Sequence, residues 1–115
     1  MSNYRFQKYK QSLVLVFGTN ANTITGTSSY LNGLLRQVII GVPALDGTDT
    51  ATFTLIDAES NTVYTKATIA KSTTSINLLD ANSMVPLNGT YTLKVVTSGD
   101  QTANRTFTAT LLIER

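Results

Sequence analysis

Apolar and polar residues alternate along most of this chain with a period of two. In TATFTLID (50–57), Ala51, Phe53 and Leu55 share one parity, and Thr50, Thr52 and Thr54 the other. In TYTLKVV (90–96), Tyr91, Leu93 and Val95 oppose Thr90, Thr92 and Lys94. In RTFTATLLIER (105–115), Phe107, Ala109, Leu111 and Ile113 oppose Thr106, Thr108, Thr110 and Glu114. That period marks half-buried strands. Threonine suits the outer face of such a strand, because its branched carbon fits the pleat and its hydroxyl tolerates water.

Two segments break the alternation. LVLVF (13–17) and VIIGV (38–42) are apolar at both parities, the pattern of strands covered on both sides. One side is the core. The other is covered either by a long loop of the same chain or by another subunit.

Turn residues separate the runs. Asn32-Gly33 precedes LLRQVIIGV, Pro43 closes it, and Asp46-Gly47 leads into the next strand. Ser60-Asn61 predicts a hairpin between 50–57 and 62–69. Asn88-Gly89 is read as the turn opening the 90–97 strand. Ser98-Gly99-Asp100 begins the connection to the last strand, and 90–114 is read as a second hairpin. Nine strands are predicted, over 3–9, 11–17, 22–26, 34–42, 50–57, 62–69, 75–78, 90–97 and 105–114. LLDANSMVP (78–86) offers one or two helical turns before Pro86 stops them. Short strands at this spacing predict a single all-β sandwich over residues 1–115, jelly-roll or Ig-like, with eight or nine strands. Residues 1–12 are either its first strand or a basic, aromatic N-terminal arm. The predicted core is Leu15, Val38, Ile40, Phe53, Leu55, Val63, Ile69, Leu93, Val95, Phe107, Ala109, Leu111 and Ile113.

Composition removes most chemistry. With 115 residues the chain is of single-domain size and can bury its own core. It has no cysteine and no histidine. Disulfides, thiolate metal sites, thiol nucleophiles and every histidine-based triad are therefore impossible. No tryptophan is present either, which weakens a carbohydrate-stacking reading. Charged residues make up 14% and the net charge is +2, so the surface is mostly neutral and gives little steering toward nucleic acid. No apolar run approaches the length of a membrane span. MSNYRFQKYKQ is not followed by the apolar run of a signal peptide. The chain is expected to stay where it is made, and Asn88-Gly89-Thr90 and Asn104-Arg105-Thr106 are then turn and strand residues, not glycan acceptors. No cofactor, nucleic-acid partner or membrane partner is expected.

The remaining candidates are weighed one by one. Asp46 and Asp49 could give calcium two oxygens, against the six or more it normally takes; an Asp-Gly turn explains them as well. Asp57 and Glu59 form a carboxylate pair that acid–base catalysis could use, but they flank a hairpin turn. No phosphate-binding or nucleophile-elbow string occurs. At the N-terminus, Tyr4, Phe6 and the stem of Lys8 share one parity, and Arg5, Gln7 and Tyr9 the other. Three readings stay open: a plain strand with a basic edge, an arm lying on an acidic protein neighbour, or a stacking surface for single-stranded nucleic acid.

NGLLRQVIIGVP, TATFTLIDAESNTVYT, VPLNGTYTLKVVTSG and the terminal TFTATLLIER together resemble the small β-sandwich virion proteins of tailed bacteriophages, particularly head decoration or cement proteins. The resemblance lies in Pro43, the strand from Thr50 to Asp57, Pro86-Leu87-Asn88-Gly89 leading to Tyr91 and Leu93, and Glu114-Arg115. It spans about residues 30–115 and carries no catalytic residue. It implies a non-enzymatic structural protein on the capsid surface, made in the host cytoplasm. It also implies the major capsid protein as partner, and self-association, most simply as a homotrimer. The runner-up is an Ig-like binding module of a phage tail or fibre that engages host glycan or protein. The contact residues expected are Tyr4, Arg5, Phe6, Lys8, Tyr9, Lys10, Val14, Val16 and Ile39.

Overall fold

The computed structural model describes residues 8–79 and 83–114. They form nine strands and no helix among the described residues: β1 (Lys8–Phe17), β2 (Ala21–Thr27), β3 (Leu31–Val42), β4 (Thr50–Ile56), β5 (Thr62–Ala70), β6 (Thr73–Leu78), β7 (Val85–Gly89), β8 (Thr92–Gln101) and β9 (Arg105–Glu114). Sheet A runs β1-β9-β3-β6, with β7 also on β3; sheet B runs β2-β8-β4-β5. All pairs are antiparallel.

The pairing order identifies the architecture. β1 pairs with β9, β2 with β8, β3 with β6 and β7, and β4 with β5. That is one long antiparallel double strand with the β4–β5 turn at its tip. Rolling it up sets β9 beside β3 and β8 beside β4, which closes two sheets face to face. This is the jelly roll. Its ninth strand arises because the stretch facing β3 is split. β7 takes residues 31–35 of β3 and β6 takes 37–42, with Arg36 left in a register shift between them.

The core sits between the sheets. Twelve of the thirteen predicted core residues are buried, and Val63 packs half-buried at the rim. Leu31, Leu35, Val42, Leu45, Ala51, Leu79, Leu87 and Tyr91 complete it. Phe53 and Phe107 are the largest fully buried side chains, and burying each contributes about 1.5–3 kcal/mol. At the sandwich corner β2 crosses close under β1. A Cβ on Gly26 would lie 2.6 Å from Leu15 Cδ2 and 2.7 Å from Leu13 Cδ2, so glycine permits that approach.

Several expectations change. Lys8 and Tyr9 do not end a separate strand; they begin β1, whose register with β9 is unbroken from Lys8 to Phe17. Residues 3–7 lie outside the described residues. The 90–114 hairpin does not exist, because β8 and β9 lie in different sheets. Each finds a partner far away in sequence, and the link between them turns a corner. Asn32-Gly33 and Asn88-Gly89 are not turns. They face one another in the β3–β7 ladder, Asn32 opposite Asn88. Gly33 and Gly89 both take φ 137°, a strand kink that side chains resist. The expected helical turn at 78–86 falls partly outside the described residues. Its described ends are extended: Leu78 closes β6 and Val85 opens β7. The β4–β5 hairpin forms as expected.

Candidate assembly surface

Sheet A turns one face to the core and the other outward. On β1, Leu15 is buried, while Val14 and Val16 point outward and are 60% and 49% exposed. Directly paired residues share a face, so the register carries this outer face across the sheet. One rank reads Ser12, Thr110, Ile39, Ile76; the next reads Lys10, Leu112, Gln37, Leu78. Ile76 and Leu78 are 62% and 73% exposed, and Ile39 and Leu112 are half-buried between neighbours. Val14 lies opposite Thr108, and Thr108 opposite Gly41. A Cβ at Gly41 would stand 2.4 Å from Thr108 Oγ1, so the threonine side chain leans into the gap the glycine leaves.

The result is an apolar field on three strands plus β1, interrupted by threonine hydroxyls. Strands about 4.8 Å apart bring Ile39, Ile76, Leu78 and Leu112 into one cluster. Solitary exposed apolar side chains are ordinary, but a contiguous group of them marks a contact surface. Sheet B shows the contrast. Its outer ranks are Thr25, Lys94, Thr54, Thr65 and Thr27, Thr92, Ile56, Thr62. That face is a field of hydroxyls, content in water.

The expected contact residues distribute as follows. Val14, Val16 and Ile39 are brought to this one outer face, with Lys10 exposed at its margin. Lys8 begins β1 opposite Glu114. Tyr9 is half-buried, and its hydroxyl donates to the Asn32 carbonyl and accepts from the Asn32 amide, both at 2.9 Å; it ties β1 to β3. Tyr4, Arg5 and Phe6 lie outside the described residues. Ile76, Leu78 and Leu112 were not anticipated from the sequence.

Of the acidic candidates, Asp46, Asp49 and Asp57 are engaged in structural bonds, and Glu59 is exposed at the β4–β5 turn. Asp57 caps the β4–β5 turn: its Oδ1 accepts from the amides of Glu59 (3.0 Å) and Asn61 (2.8 Å), and Ser60 takes φ 69°. Asp46 and Asp49 lock the β3–β4 loop to the β8–β9 corner. Asp46 Oδ2 accepts from the Thr102 amide at 2.7 Å, and Oδ1 from the Thr102 hydroxyl at 3.1 Å and from the Arg105 guanidinium. Asp49 accepts from Ser98 Oγ at 3.1 Å and Gln101 Nε2 at 2.9 Å. Gly47 makes the turn between them at φ 52°. Among the described residues no group of three or more acidic side chains is disposed to hold a metal ion.

The Thr102 amide, then the Thr102 hydroxyl and the Arg105 guanidinium, hold the Asp46 carboxyl below the usual aspartate value, against an opposing desolvation. A carboxyl lowered in the folded state supports the fold above the ordinary aspartate range and withdraws that support as acid protonates it. The unfolding midpoint is therefore expected to fall as pH drops below about 4. In Asp46→Asn the midpoint starts lower at neutral pH and falls less steeply in that window. Circular dichroism melts across the pH series check it; parallel curves for the two proteins would remove Asp46 from the acid response.

No known family model and no curated protein sequence matches this chain. Solved structures do. A subunit of Bacillus endospore appendages, a family of disulfide-linked pili, aligns with TM-score 0.50 at 9% identity, covering 99% of this chain and 94% of that one. The subviral particle of infectious bursal disease virus VP2 aligns with TM-score 0.53 at 16% identity, covering 96% of this chain. The T13 particle of the same virus aligns with TM-score 0.51 at 16% identity, covering 98%. The chain spans only 33% and 32% of those two viral chains. At such identities the likeness is one of fold.

Proposed function

We propose that this protein is a non-enzymatic structural subunit of a virion, and that it decorates or cements the head of a tailed bacteriophage. The observation that carries the reading is the outer face of sheet A. A small β domain that leaves Ile76, Leu78, Val14 and Val16 in water has a surface suited to another protein. The partner is the major capsid protein, and the site of action is the capsid surface. Binding the assembled shell but not its dissociated subunits stabilises the shell by mass action. The basic and aromatic positions Tyr4, Arg5, Phe6, Lys8 and Lys10 supply a second contact, with an acidic neighbour. Similarity of fold to capsid and pilus subunits supports a structural role. Self-association belongs to this reading, and the homotrimer implied by the sequence resemblance is one form it can take.

The test is made on particles. Purified virions should contain the chain, and stripping it should lower the temperature at which heads release DNA. Virions that lack it altogether would sink the reading. A pilus-type filament is the second reading, favoured by the near-complete mutual coverage with the appendage subunit. With no cysteine, such a filament would be held without disulfides. Filaments seen by electron microscopy of the purified protein would favour it. Binding on a glycan array would instead favour the tail or fibre module.

A further inference from the structure

We infer that the outer edge of β1, which pairs with no other strand among the described residues, pairs with β1 of a second copy, antiparallel and centred on Val14, so that sheet A runs continuously through a two-fold dimer. This rests on the sheet edge and stands apart from the virion reading.

The five outer strands are not alike. β5 is broken by two register shifts and carries Thr68 at φ 57°, and Lys66 is exposed on it. β2 has seven residues and a shift between Ala21 and Thr23. β6 has six residues, and β7 five with Pro86 among them. Bulges, short lengths, lysine and proline are the devices that keep an edge from pairing. β1 has ten residues, and all ten pair with β9 in unbroken register. It lies at the end of its sheet, so alternate backbone groups face away from β9. Gln11 turns its own amide onto the Ser12 carbonyl at 3.4 Å, a long bond that a strand partner can replace.

The occupant follows from charge and symmetry. Residues 11–17, QSLVLVF, contain no charge, glycine or proline. The lysines of β1, Lys8 and Lys10, sit at its start. Parallel pairing of two copies would stack those lysines, whereas antiparallel pairing sends them to opposite ends. Sheet A has a core face, so the two-fold axis must be perpendicular to it; an axis in the sheet would set one copy's core face beside the other's outer face. Paired residues share a face, so this axis puts one residue opposite its own copy. The uncharged stretch is centred on Val14. Centring there pairs 11 with 17, 12 with 16 and 14 with 14, and leaves both lysines outside the paired stretch. It also joins the outward valines of both copies into one apolar strip, continuous with the exposed face of sheet A.

The chain has no cysteine, so single cysteines report the register. Directly opposed residues stand about 4.5–5.5 Å apart at Cα, within disulfide range. In full-length protein, Val14→Cys should oxidise to a covalent dimer at least about tenfold faster than Thr25→Cys on the outer face of sheet B, because pairing raises the effective concentration. Ser12→Cys alone should not, since its copy lies about 13 Å away. Ser12→Cys mixed with Val16→Cys should form the mixed dimer. Light scattering of the wild type should give the mass of two chains. Val14→Cys oxidising no faster than Thr25→Cys, or a wild type that is monomeric or trimeric at all concentrations, overturns the inference. Ser12→Cys alone outpacing Val14→Cys overturns the register.

Discussion

Gln101→Ala is expected to lower the stability of the domain by about 3 kcal/mol, since each buried polar group left unpaired costs about 1–3 kcal/mol. For a domain of this size that is a drop of roughly 10–15 °C in midpoint. The side chain is 0% exposed and fully bonded. Its Oε1 accepts from the Asp46 amide at 3.0 Å and from Arg105 Nε at 3.3 Å. Its Nε2 donates to Asp49 Oδ2 at 2.9 Å and to the Gly99 carbonyl at 3.0 Å. Its backbone carbonyl accepts from the Asn20 amide. One residue thus ties together the β1–β2 turn, the β3–β4 loop and the β8–β9 corner.

The effect that dominates is desolvation, not volume. Removing the amide leaves three half-buried groups, the Asp46 amide, Arg105 Nε and Asp49 Oδ2, without the partner it gave them, while the Gly99 carbonyl keeps the Thr97 hydroxyl at 2.7 Å; a network member costs more than a single bond. Gln101→Leu separates the two causes. It fills the space and leaves the same groups unpaired, so it should be about as unstable as Gln101→Ala. A leucine variant near wild-type stability in thermal or urea unfolding would show that packing, not bonding, is what Gln101 supplies.

How much of this was legible depends on what a period of two can encode. It states which residues share a face. From that, β9 was placed to the residue, and twelve of the thirteen core residues named are buried, Val63 lying at the rim; Leu31, Leu35, Val42, Leu45, Ala51, Leu79, Leu87 and Tyr91 were missed. It does not state which strand lies alongside. β8 and β9 read as a hairpin because they are adjacent and both alternate, yet in a jelly roll each pairs across the chain. The Asn-Gly dipeptides carried a true glycine signal, since both glycines adopt φ 137°, but the signal was for a kinked ladder. Nor does the period state which face is inward. In TTSINL the apolar face of Ile76 and Leu78 would ordinarily be buried; here Ser75 and Asn77 take the inner side. Asn77 repays this by donating to the Val38 carbonyl at 3.3 Å and to Ser75 Oγ at 3.0 Å. Val14, Val16 and Ile39 were legible as outward because their strands are apolar at both parities. Gln101 was invisible, because its importance lies in loops brought together from residues 20, 46 and 105.

The inverted strand β6 gives the second large expectation. Ile76→Lys combined with Leu78→Lys should abolish binding to the particle while leaving the fold intact. Both side chains are mostly exposed, so stability should move within about 0.5 kcal/mol. Two charges per copy in an interface that excludes water leave lysines buried without partners, and each such loss at a contact centre costs about 2 kcal/mol or more. Over both positions, affinity should drop by at least about 100-fold. Cosedimentation of the variant with particles stripped of the protein measures this, with circular dichroism as the check on folding. The lysines sit three strands from β1, so the β1 pair should persist and the variant should still weigh two chains. Loss of particle binding with the dimer kept assigns the shell contact to the face and self-association to the edge. A variant that binds particles as the wild type does would remove the outer face of sheet A from the contact, and an apolar cluster exposed by β6 would then need another partner.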